Sequence, residues 1–195
     1  AAYDEMFETT GEPRSHWRAL MDGLQAASSG ELVQHQNEAD RAFLTQGITF
    51  TVYGDNEGTE RIFPYDLLPR IITAAEWDTL ERGLAQRLTA INLFLKDIYH
   101  DQRILAEGIV PRELIYSCRY YRREMRGVQV YRDIYVSICG TDLIRLEDGR
   151  FVVLEDNLRV PSGVSYMLAN REVTKQVMPG LVDRYHVRPV AQYGQ

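Results

Sequence analysis

Apolar residues recur every three or four positions from Ser15 to about Gln46, through Trp17, Leu20, Met21 and Leu24 and then Leu32, Val33, Ala39, Phe43 and Leu44. That is the spacing of one helical face, and Ser28-Ser29-Gly30 interrupts it, so two helices are predicted there. From Ile48 to Tyr53 the pattern turns alternating and β-branched. Gly54-Asp55-Asn56-Glu57-Gly58 supplies turn chemistry, and an extended pattern resumes at Arg61–Phe63, which together predict a hairpin. The longest helical stripe runs from Ala74 to Tyr99, with Trp77, Leu80, Leu84, Leu88, Ile91, Leu95 and Ile98 on one side. Shorter helices are expected at Gln102–Glu107 and at Pro111–Tyr116, where proline suits a first turn. Past Gly127 the period changes to two and predicts three strands, Val130–Cys139, Asp142–Leu146 and Phe151–Asp156. After Pro161-Ser162-Gly163 a helical pattern returns through Val164, Met167 and Leu168 to about Val177 and ends at Pro179-Gly180, leaving a polar tail from Arg184. Helices and antiparallel hairpins without a βαβ alternation read as an α+β fold, an antiparallel sheet packed on helices.

Composition narrows the function classes. The 195 residues are 45% hydrophobic and carry 22 Lys+Arg against 28 Asp+Glu, a formal charge of −6. This is an ordinary globular balance, long enough for one domain or two small ones to bury a core without covalent staples. Cys118 and Cys139 are too few for a disulfide framework or a thiolate metal cage, so a reducing cytoplasm is the expected compartment. No apolar run approaches the roughly 20 residues that a membrane crossing needs, and no signal-peptide pattern opens the chain. The acidic balance argues against general nucleic-acid binding, which depends on neutralising phosphates. All but Lys96 and Lys175 of the 22 positive residues are arginines. Codon preference accounts for such a bias, as does a need for guanidinium forks that hold carboxylates and phosphates.

The segment from Gly140 to Asn157 is the most informative. Asp148-Gly149 is a favoured pair for a two-residue type I′ turn, and that turn would set Glu147 opposite Arg150, Ile144 opposite Val153 and Asp142 opposite Glu155. Two carboxylates would then meet on one face of a sheet, with Asn157 two residues further along it. Like charges so placed repel unless something neutralises them. One reading is a metal ion: two carboxylates and an amide oxygen are hard ligands suited to Mg²⁺, which leaves coordination positions for water and phosphate. The other is a shifted hairpin, or neutralisation by Arg145, Arg150 or Arg159.

At this point the sequence resembles a known family. Asp142, followed by Glu155 and Asn157 on the next strand, is similar to the metal-binding lobe of the ATP-grasp superfamily. Phe63-Pro64-Tyr65-Asp66-Leu67-Leu68-Pro69-Arg70 and Leu154–Tyr166, which reads LEDNLRVPSGVSY, resemble the circularly permuted ATP-grasp proteins related to glutathionylspermidine synthase, over about Tyr3 to Pro189. The resemblance implies a helical N-terminal segment at 1–46 and an ATP-grasp metal-binding lobe at 47–195, the C-terminal-lobe-like half of the permuted fold. The phosphate-covering glycine-rich loop and the nucleotide-binding lysines would lie beyond residue 195. It further implies an ATP-dependent carboxylate–amine ligase that acts through an acyl phosphate, with Mg²⁺ bridging the ATP phosphates. Asp142, Glu155 and Asn157 would be metal ligands, and the substrates small-molecule or peptide carboxylates and amines. The fragment alone is expected to be inactive and to bind ATP weakly or not at all.

In several ATP-grasp ligases an arginine precedes the metal aspartate by two residues. That position is Gly140 here, which moves the basic catalytic role to Arg145 or Arg159 or removes it. Ser162 and Gly163, at a strand-to-helix turn, are candidates for phosphate or cofactor contact, against a plain helix cap. Arg70 is a candidate for substrate binding, against a structural ion pair. The histidines at 16, 35, 100 and 186 show no ligand spacing. Homo-oligomerisation is left open, and the competing functional class is a catalytically inactive ATP-grasp-like binding or scaffold module.

Overall fold

A computed structural model describes residues 3–52 and 59–194, apart from the side chains of residues 51, 52, 59 and 60. The turn expected at Gly54–Gly58 lies outside the described residues. Seven helices and two hairpins occur among the described residues: α1 (Arg18–Ala26), α2 (Ser29–Thr45), β1 (Thr49–Val52), β2 (Thr59–Ile62), α3 (Ala74–Tyr99), α4 (Arg103–Ala106), α5 (Arg112–Tyr116), β3 (Gly140–Arg145), β4 (Phe151–Asn157), α6 (Gly163–Val177) and α7 (Pro179–Tyr185), with short 3₁₀ turns between them. β1 pairs antiparallel with β2, Thr49 opposite Ile62, and β3 pairs with β4, so each sheet has two strands.

The chain forms two compact units. One holds residues 1–72, 145–150 and 162–195, the other 73–144 and 151–161.

In the first unit α2 packs on α6. Ser28 starts α2 with a capping box: its hydroxyl accepts the Glu31 N–H, and the Glu31 carboxylate accepts the Ser28 N–H. The buried faces bring together Ala39, Ala42, Phe43, Val173 and Val177, with Ile48, Phe63, Tyr65 and Leu67 against them. The strand-like motif from Phe63 thus has a packing role, since its alternate residues Phe63, Tyr65 and Leu67 enter this core. Thr174 donates to the Asn170 carbonyl at 2.7 Å, so the 2.8 Å contact between Tyr65 and Thr174 is a bond that the tyrosine donates. Phe63 also stacks on Tyr166 at 4.4 Å, and the Tyr166 hydroxyl bonds the Thr49 carbonyl. The two sequence motifs therefore meet ring on ring.

The helix expected to end at Pro179-Gly180 is followed at once by another. Met178 breaks α6 with φ −137° and ψ 60°, and Pro179 occupies the first turn of α7. Proline stops one helix and suits the start of the next, because its missing N–H belongs to a turn that has no acceptor for it.

In the second unit α3 starts at a Thr73–Glu76 capping box and runs 26 residues. Its stripe of leucines is half-buried, with Ile98 fully so. The expected strand Val130–Cys139 does not form. Arg132 and Asp133 take left-handed φ values of 55° and 57°, which break an extended path, and Tyr131–Asp133 is a 3₁₀ turn. The N–H groups of Tyr135 and Val136 donate to the Asn92 side-chain oxygen on α3, at 2.7 and 2.9 Å, in place of a partner strand. Tyr99, Tyr121 and Tyr135 stack beside this tie.

Candidate functional site

The β3–β4 hairpin turns differently from the expected type I′. The Gly149 N–H bonds the Leu146 carbonyl and the Leu146 N–H bonds the Arg150 carbonyl, both at 2.9 Å. Gly149 has φ +85° while Asp148 stays out of the left-handed region, so this is a three-residue loop whose third residue is a left-handed glycine. Leu146, not Glu147, faces Arg150. At the open end of the hairpin Gly140 and Thr141 stand against Asn157 and Asp156. The Thr141 hydroxyl donates to Asp156 at 2.9 Å, and a Cβ built on Gly140 would lie 3.7 Å from that of Asn157. The pairing is thus one residue out of step between the two ends, and β4 has seven residues against six in β3. The extra residue is accommodated on β4, where Leu154 and Glu155 are exposed in succession and the alternation breaks.

Thr141 and Asp156 share the inner face. The pleat therefore turns Asp142, and Glu155 and Asn157 on either side of Asp156, to the other face, and all three are exposed. The Asn157 amide donates to the Glu155 carboxylate at 3.1 Å, which leaves its carbonyl oxygen and the second Glu155 oxygen without a hydrogen-bond partner among the described residues. Asp142 has no hydrogen bond or ion pair among the described residues. Arg150 pairs with Asp148 at 2.6 Å, and Arg145 with Glu5 at 2.9 Å. The donor set is two carboxylates and one amide oxygen, hard atoms that fit Mg²⁺ and leave room for water or phosphate oxygens. Among the described residues no cluster of three or more His, Cys, Asp or Glu side chains occurs, so the set remains at two carboxylates.

The inner face is held firmly. Asp156, its side chain 9% exposed, accepts from Arg87 Nε of α3 at 2.6 Å, from Thr141, and from the Cys139 thiol at 3.8 Å. Burial pushes its carboxyl pKa up, but Arg87 and Thr141 outweigh burial and hold it below the ordinary value. Gly140 packs under Pro161: a Cβ there would lie 2.6 Å from the proline Cβ, so any side chain would force one of the two to shift.

In the other unit, Arg70 and Arg145 converge on Glu5, which no sequence pattern singled out. Arg70 Nε bonds Glu5 at 2.9 Å, and a second Arg70 nitrogen grips the other carboxylate oxygen. Arg145 is 7% exposed and also donates to the Gly149 carbonyl, with the Tyr3 ring 5.3 Å from its guanidinium. The bond from Arg70, ahead of the contacts with Arg145, holds the Glu5 carboxyl below its ordinary range against the opposing effect of burial. Ser162 precedes the first turn of α6 but makes no side-chain cap bond, and both it and Gly163 are exposed. Arg159 is exposed and makes no ion pair among the described residues.

A family model described as circularly permuted ATP-grasp type 2 matches residues 69–195. An uncharacterized protein of Synechocystis is 44% identical over 98% of this chain and 40% of its own length. One of Mycobacterium tuberculosis is 43% identical over 98% of this chain and 34% of its own. A Frankia casuarinae protein named "Putative glutamate--cysteine ligase 2-2" is 40% identical over 92% of this chain and 20% of its own length. The chain thus spans well under half the length of each of these relatives.

Proposed function

Because this chain belongs to the circularly permuted ATP-grasp type 2 family, we propose that it forms the metal-binding part of an ATP-dependent carboxylate–amine ligase. The observation that carries the reading is the exposed oxygen set Asp142, Glu155 and Asn157, with no arginine paired to it among the described residues, on the outer face of a hairpin whose inner face is clamped. The ligase name of the Frankia relative is in keeping with it, while the finer likeness to glutathionylspermidine synthase rests on the two motifs alone.

In the proposed reaction a substrate carboxylate oxygen attacks the γ-phosphorus of ATP and ADP leaves. The amine nitrogen then attacks the acyl carbon, phosphate leaves, and the amine gives up a proton. Bound Mg²⁺ would supply charge neutralisation at the nucleotide phosphates. Asp142, Glu155 and Asn157 would hold that ion. Of the two arginines considered for a catalytic role, Arg145 is engaged with Glu5, which leaves Arg159 as the guanidinium free to hold an anionic oxygen. The exposed N–H groups at Ser162-Gly163, at the start of a 15-residue helix, are suited to a phosphate by their direction and the helix dipole. Such a reaction needs no side-chain nucleophile, only positioned charge.

The test is Glu155→Gln in the complete protein. ATP-dependent amide formation should be nearly lost, while the thermal midpoint without metal should hold or rise, because one of two facing carboxylates is neutralised. A metal-free protein that is destabilised by the substitution yet turns over ATP normally would overturn the metal assignment. Normal binding of MgATP with no turnover on any carboxylate and amine pair would favour the binding-module reading.

A further inference from the structure

We infer that Arg87 is a positioning residue for the metal-binding face of the β3–β4 hairpin and acts on that face through Asp156. The inference rests on the metal reading above and adds to it a residue that lies on another element and touches none of the three oxygen donors.

Asp156 stands between Glu155 and Asn157 in the chain, so whatever fixes its backbone fixes theirs. Both of its carboxylate oxygens are engaged, and from different directions: Oδ2 takes the 2.6 Å bond from Arg87 on α3, and Oδ1 takes the Thr141 hydroxyl from the facing strand at 2.9 Å. One bond ties β4 to a helix, and the other ties it across the hairpin at the residue before Asp142. All three proposed ligands are therefore adjacent in sequence to a residue of this clamp.

The hairpin needs such a clamp. Two strands by themselves are marginally ordered in water, and the alternation of β4 breaks at Leu154-Glu155, beside a proposed ligand. As a device for stability alone the pair is poor, since the Arg87 side chain is 47% exposed and an ion pair so open to solvent contributes little. As a device for orientation it is well made, because a charge-assisted bond from Nε fixes direction as well as distance. Arg87 also balances the charge of Asp156, the carboxylate that stands between two proposed ligands in the chain. Groups that orient metal ligands in this way commonly change affinity by 10–100-fold when removed.

The experiment titrates the complete protein with Mn²⁺, detecting free ion by electron paramagnetic resonance and the thermal midpoint in parallel. The proteins are wild type, Arg87→Met, Arg87→Lys, Thr141→Val, and Phe43→Leu as a control destabilised in the α2 core. Arg87→Met and Thr141→Val should each weaken Mn²⁺ binding about 10-fold or more, Arg87→Lys should recover part of the loss, and Phe43→Leu should lower the midpoint without moving the affinity. Thr141→Val carries the test if Arg87→Met does not fold. Wild-type affinity in both clamp variants would overturn the inference while leaving the metal reading intact. An affinity that merely follows the midpoint across all variants, the Phe43→Leu control included, would overturn it too. Absence of Mn²⁺ binding by the complete wild-type protein would sink the metal reading itself and this inference with it.

Discussion

At the residue scale, Gly140 and Glu5 carry weight that their neighbours in sequence do not reveal. Gly140 lies under Pro161, so Gly140→Ala should force strand or proline to shift and cost about 1–3 kcal/mol, an overpacking penalty readable from urea denaturation. Glu5 answers two arginines, and Arg70 and then Arg145 hold its carboxyl below the ordinary value of 4.5. A carboxylate whose folded pKa is depressed stabilises the fold fully above the unfolded value and loses that contribution as pH falls through the folded one. The difference in thermal midpoint between wild type and Glu5→Gln should therefore be steady from pH 7 down to about 4.5 and shrink below it. A difference that grows on acidification would contradict the pairing.

At the element scale, local signals and distant contacts share the work. The capping boxes at Ser28 and Thr73 satisfy N–H groups that α2 and α3 cannot satisfy themselves. Thr73→Ala should cost about 1 kcal/mol, with Glu76→Ala close behind and the double substitution less than their sum, since both act in one box. The α2–α6 contact is worth more. Phe43 is fully buried against Val173 and Tyr65, and Phe43→Ala should cost about 3–5 kcal/mol by cavity formation. Chemical denaturation followed by far-ultraviolet circular dichroism checks both. The same scale explains why the segment Val130–Cys139 is not a strand: its Tyr135 and Val136 N–H groups go to Asn92, and consecutive left-handed residues at 132 and 133 break the extended path.

At the scale of the whole molecule, charge is the dominant variable. The chain has a formal charge of −6, yet Arg112, Arg119, Arg122, Arg123, Arg126 and Arg132 make no ion pair among the described residues. Such a cluster draws phosphate only within about a Debye length, roughly 8 Å at physiological ionic strength, beyond which the acidic remainder prevails. Fluorescence anisotropy with a labelled single-stranded oligonucleotide at about 0.15 M salt should accordingly register no binding. A tight, salt-sensitive complex would overturn this charge argument. No helix among the described residues is long and apolar enough to cross a membrane.

The sequence by itself determined the elements whose causes are local. Amphipathic spacing placed α2, α3 and α6 within a few residues, and the alternation around Asp142 and Glu155 placed two hairpin strands. The family likeness was equally legible, because it rests on contiguous motifs. Tertiary structure decided what depends on residues far apart. That Phe63, Tyr65 and Leu67 are core anchors follows from α6, which begins a hundred residues later. That Arg145 is engaged follows from Glu5, 140 positions away, and no local pattern encodes such a meeting. The turn at Gly149 is the instructive case. Asp-Gly serves both a two-residue and a three-residue loop, so the dipeptide alone does not set register. The choice fell with packing, where the left-handed glycine lies against the Tyr3 ring, with a built Cβ 2.8 Å from it, and β4 absorbed the difference before Asp156 reached Thr141 and Arg87.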